Sequence, residues 1–155
     1  MSKNLGCFLF DVVTDQEKEI LSLFNNLLEK NPNINGCLFT TNYQNTINQL
    51  KRFSIFPLYE AKYYYGDVLV WDIISLDIVK SFPNVEKIFY FQGPYLPWTG
   101  NTHLEYSMWE SLFCNPKITV ISNLTEVKEI FDLVWSTKCE LIKTMNAESL
   151  YEVVR

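Results

Sequence analysis

LGCFLFDVVTDQEKEILSLFNNLLEKNPNINGCLFTT, residues 5–41, changes its hydrophobic period twice, and those changes decide the fold class. LGCFLFDVV, residues 5–13, is a short apolar run interrupted by Asp11, the pattern of a strand covered on both faces. Thr14 and Glu17 then stand at capping-box spacing. Ile20, Leu21, Phe24, Leu27 and Leu28 recur at helical spacing until Asn31-Pro32 ends the row. GCLFTT, residues 36–41, returns to the buried-strand pattern.

Outward from this unit the alternation continues. A shorter helical piece lies around Ile47 and Leu50, and SIFPLYEAKYYYG follows, in which Pro57 predicts an edge or irregular strand. DVLVWD (67–72) reads as a strand, Ser75 as the cap of a short helix through Val79, and KIFYFQ (87–92) as another strand. Thr102 and Glu105 form a second capping-box pattern ahead of a helical row of Leu104, Met108 and Leu112, which predicts a helix over 103–114. KITVIS (117–122) predicts a strand, Val127, Ile130, Phe131 and Val134 a helix, CELIK (139–143) a last strand and Ala147–Arg155 a final helix. Strands alternating with helices predict an α/β fold: one Rossmann-like domain over residues 1–155, with a mostly parallel sheet and helices on both faces.

Composition bounds the functions. The 155 residues are 48% hydrophobic and 20% charged, enough apolar content for one sizeable core. The apolar runs are too short to cross a bilayer, and Asp11 interrupts the amino-terminal run before a secretory pattern develops, so no membrane association and a cytoplasmic location are expected. A net charge of −5 without a basic stripe argues against duplex nucleic acid. Cys7, Cys37, Cys114 and Cys139 lie far apart without a CxxC pair, which predicts small buried thiols rather than a metal site or a disulfide framework. No cofactor is expected. Heavy use of Lys, Asn, Ile, Phe and Tyr points to an A+T-rich genome, microbial or viral.

In open parallel sheets, ligands collect beyond the carboxyl ends of the strands. The predicted strands present Asp11, Thr40, Thr41 and Asn42, Asp72, Gln92, Ser122 and, after the last, Lys143 to Asn146 there. The turn DVVTDQE has no glycine, which excludes a dinucleotide fingerprint and a phosphate-cradling loop, and no GxSxG elbow is present. Asp11 and Asp15 are an acidic pair of the kind that could face Mg²⁺, a weaker reading than the two below. GPYLPWTGNTH, residues 93–103, is stiffened by Pro94 and Pro97 and carries Tyr95, Trp98 and His103. Its rings would serve as a stacking platform. His103, at a helix start with no partner to orient it, is expected to contribute little to catalysis, and no residue is assigned a catalytic role.

The series DVLVWDIIS, KIFYFQGPYLPW, KITVISN, LTEVKEIF and CELIKTMNAESLYEVV resembles, over residues 67–155, the amino-terminal acceptor half of GT-B glycosyltransferases. The resemblance is one of pattern. It implies a sugar or nucleotide-sugar ligand; the ligand-binding residues, read from the strand ends and the loop 93–103, are Asp11, Thr41, Asp72, Gln92, Tyr95, Trp98, His103 and Ser122. The chain departs from that family in its glycine-free first turn. The donor site of such enzymes lies mainly in a carboxyl-terminal domain that these residues do not include, which implies one half of a split transferase. The alternative is a noncatalytic interaction module. YYY (63–65) and PYLPW (94–98) would then face a protein partner or a second copy of the chain.

Overall fold

A computed structural model describes residues 2–12, 14–41, 52–82, 86–91, 107, 110–135 and 138–154. Its strands are β1 (Lys3–Phe8), β2 (Ile34–Thr40), β3 (Phe53–Pro57), β4 (Asp67–Val70), β5 (Lys87–Phe91), β6 (Ile118–Ser122) and β7 (Cys139–Leu141). Helices α1 (Asp15–Lys30), α2 (Ile73–Val79), α3 (Thr125–Ile130) and α4 (Ala147–Val154) accompany them, with a further helical stretch at 110–113. The strands form a seven-stranded sheet in the order β3-β2-β1-β4-β5-β6-β7. Every pairing is parallel. The α/β class with a parallel sheet is therefore as expected.

Period-two alternation divides the core in two. Leu5, Cys7, Leu69 and Ile121 pack on one face with Ile20, Phe24 and Leu28 of α1 and Leu150 and Val154 of α4. Phe8, Val68, Val70 and Val120 pack on the other, with Leu76 and Val79 of α2, Leu112, Phe113 and Val127. Gly36 lets α1 approach the sheet: a Cβ there would lie 2.1 Å from Leu28 Cδ1. Across the sheet's amino-terminal edge, Lys3 of β1 and Asp67 of β4 form an ion pair at 2.7 Å.

Several elements differ in detail from expectation. β1 ends at Phe8 rather than Val13, because the segment beyond it pairs through the Phe10 carbonyl, which accepts from the Thr41 N–H at 3.0 Å and from the Thr41 hydroxyl. SIFPLYEAKYYYG supplies the edge strand β3, but Leu58–Tyr63 is a 3₁₀ helix that seats Ala61 in the core. Helix α2 is capped by Asp72 rather than Ser75: the Asp72 carboxylate accepts from the Ser75 N–H at 2.7 Å and from its hydroxyl. Helix α3 passes into a π-helical turn, Phe131–Trp135, which alters the helical phase. Trp135 then takes the inward place expected of Val134, and it packs 5.9 Å from Phe113 while Val134 is exposed. Cys114 is exposed as well, against the expectation of four buried thiols. The predicted helix start at Thr102 and the piece around Ile47 lie outside the described residues.

Candidate functional site at the carboxyl edge of the sheet

Adjacent strands β1 and β4 send the chain to opposite faces, β1 into α1 and β4 into α2. Two neighbouring strands that part in this way leave a crevice beyond their carboxyl ends. Here it is a cavity of about 490 Å³ lined by Leu9, Phe10, Thr14, Gln16, Glu17, Ile20, Trp71 and Asp72.

The walls are built by the cores below. Leu9, Ile20 and Trp71 belong to the α1-side core, and burial there holds Trp71 in place. Burial pushes the Cys7 thiol up to about 12, so it stays protonated beneath the crevice. Phe10 stands at the rim and is 53% exposed although its backbone is tied down by Thr41. A fixed backbone carrying an open ring is a preorganised apolar face.

The polar residues come from two helix starts. The Thr14 hydroxyl accepts from the Glu17 N–H at 3.2 Å, and Glu17 Oε2 accepts from the Thr14 N–H at 2.8 Å, completing the capping box. Asp72 stands opposite, oriented by Ser75. A carboxylate has about four acceptor positions, so Asp72 keeps capacity toward a ligand hydroxyl after its bonds to Ser75, and the Glu17 carboxylate lines the same cavity.

The residues expected from sequence fall as follows. Asp11, Thr41, Asp72 and Ser122 all lie at the carboxyl ends of their strands, on one edge of the sheet. Asp72 alone of these lines the crevice. Asp11 Oδ1 accepts from the Val12 N–H at 2.7 Å, and Thr41 anchors Phe10. Ser122 is fully buried, and its hydroxyl accepts from the Leu124 N–H at 3.1 Å, a turn-forming bond ahead of α3. Gln92, Tyr95, Trp98 and His103 lie outside the described residues. Among the described residues, no cluster of metal-ligating side chains occurs around Asp11 and Asp15 or elsewhere. No helix of the described residues is long and apolar enough to cross a membrane.

Sequence reasoning missed Phe10, Gln16, Glu17 and Trp71 as lining residues. It sought polar groups at strand ends and counted Phe10 and Trp71 as strand interior. The available signal was chain length: Trp71 follows a complete β4, and Phe10 stands two residues beyond β1.

A slightly larger groove of about 570 Å³ opens at Cys114, Asn115, Ile118, Trp135 and Lys138, beside the amino end of β6. There the Asn115 side chain is used locally, accepting from the Lys117 N–H at 3.0 Å. The strand-order reversal favours the β1/β4 crevice. Comparison with protein-family models, with curated proteins and with solved structures found no match.

Proposed function

We propose that the chain is a Rossmann-like, glycosyltransferase-like domain that binds a sugar-class ligand in the β1/β4 crevice. The observation that carries this reading is the meeting of an open aromatic ring, Phe10, with two oriented carboxylates, Glu17 and Asp72, around a cavity of about 490 Å³. A sugar ring offers one face of C–H groups to an aromatic and a rim of hydroxyl donors to carboxylates, and the crevice supplies both partners. The volume suits a ligand of one or two sugar rings.

The test is saturation-transfer NMR of the full chain with a panel of neutral methyl glycosides and disaccharides. A member of the panel should receive saturation, and Phe10→Ala should weaken its binding about fivefold to thirtyfold, the equivalent of roughly 1–2 kcal/mol for one ring contact. Absence of transfer to every member would overturn the reading.

A second reading, the interaction module, draws on one observation. Tyr59, Tyr63 and Tyr65 expose most of their surface around the 3₁₀ helix beside edge strand β3, while Tyr64 between them turns inward against Phe39. Exposed tyrosines of this kind favour a protein partner or a second copy. Sedimentation of the wild type against the Tyr63→Ser, Tyr65→Ser double variant would separate this reading from the first. It requires an association that the variant loses.

A further inference from the structure

The crevice lies where α/β domains commonly receive phosphate groups, at the start of a helix that follows a central strand. Its electrostatics run the other way. From this contrast we infer that the site takes uncharged hydroxylated ligands and rejects their phosphate esters, and that Glu17 is the residue that sets this preference. The inference rests on the reading of the crevice as a sugar-class site.

Three independent features point to it. The amino terminus of α1, a helix of 16 residues, carries a closed capping box of its own. The N–H groups of Thr14 and Glu17 are engaged by the reciprocal cap, and the carboxylates of Asp15 and Glu17 offset the positive end of the helix dipole before any ligand arrives. Across the cavity, Asp72 adds a second lining carboxylate.

The third feature is one of sequence: residues 9–14 and 71–72, which leave the two strands flanking the crevice, contain no lysine and no arginine. None of the described lining residues is basic. Lys18, on the first turns of α1, is paired with Asp15 at 3.2 Å. A phosphate placed in the crevice would lose water, meet two carboxylates and gain no cation from the described lining residues, whereas a hydroxyl would donate to the same oxygens. Each like-charge contact at about 4 Å costs on the order of 1 kcal/mol even in water, so two disfavour the ester by about tenfold or more.

The experiment compares, on the full chain, the best neutral glycoside of the panel with its phosphate ester, and adds inorganic phosphate as a competitor. The neutral ligand is expected to bind at least about tenfold more tightly than the ester, and inorganic phosphate should not displace it. Glu17→Gln keeps both bonds of the cap, because Gln serves at that position as Glu does. It should narrow the preference for the neutral ligand over the ester severalfold, measured as the ratio of the two affinities in the same variant. Asp72→Asn, which retains an oxygen for the Ser75 N–H, should narrow it in the same direction and serves if the first variant folds poorly. An ester that binds as tightly as the neutral ligand would overturn the inference while leaving the site reading intact. A preference unchanged in Glu17→Gln would remove Glu17 from its role. Failure of both ligands to bind would remove the site reading, and the inference with it.

Discussion

Cys7 shows how the fold changes the chemistry of single residues. Its thiol is held at about 12 by burial, against an ordinary value of 9.0. The unfolded thiol ionises first, so this contribution to stability is complete below pH 9 and is lost as pH rises toward 12. The slope is up to about 1.4 kcal/mol per pH unit. Urea unfolding above pH 9 should therefore show a shallower loss of stability in Cys7→Ala than in the wild type, and an identical slope would contradict the burial of this thiol. Cys139 is raised in the same way, to about 11, and Cys37 is also raised, both chiefly by burial. Cys114 is exposed. A polar alkylating reagent should label Cys114 first and reach Cys7 and Cys139 only on unfolding; rapid labelling of Cys7 would mean that β1 is not covered. The sequence did not separate Cys114 from the others. It stands at the end of a helical row whose inward side was clear at Leu112, but the turn that carries the chain into β6 determines which way the next residues face.

Among the elements, the capping box of α1 was legible because both of its members are local in sequence, and the observed helix matches the expected span of 15–30. Thr14→Ala should cost about 1 kcal/mol, measured as a shift in the urea midpoint, since it leaves one of the first N–H groups without its acceptor. The cap of α2 was misplaced by one turn because Asp72 and Ser75 are both good caps, and only the backbone path out of β4 selects between them. Similarly, no periodicity announces the π-helical turn at Phe131–Trp135, which seats both Phe131 and Trp135 against Phe113. The turn before β4 offers a sharper test. A Cβ on Gly66 would stand 2.6 Å from the backbone oxygen of Asn4, so the backbone of β1 must move to accept it. Gly66→Ala is expected to destabilise the protein by roughly 1–3 kcal/mol in chemical unfolding. A variant as stable as the wild type would mean that β1 and this turn are farther apart.

At the scale of the whole molecule, the order of strands follows from connections that the sequence reveals only as alternation. Parallel pairing was legible because buried-strand and helical patterns take turns along the chain, but the reversal between β1 and β4 depends on which side of β1 each later strand joins, and that is a long-range choice. The crevice was consequently visible only as a list of polar strand ends, of which Asp72 lines it. Its aromatic members emerged with the topology. Helix α4 packs on α1, with Lys30 and Glu148 bridging the two and Leu150 fully buried beneath. Leu150→Ala should cost about 2–5 kcal/mol of global stability. The central claim, that ligand binding belongs to the β1/β4 crevice, is tested most directly by mapping amide and indole NMR shifts as a neutral saccharide is added to the full chain. The account predicts saturable shifts at Phe10, Gln16, Glu17, Asp72 and the Trp71 indole, with little change at Asn115 and Lys138; shifts confined to the groove at Asn115 and Lys138, or none at the crevice residues, would contradict it.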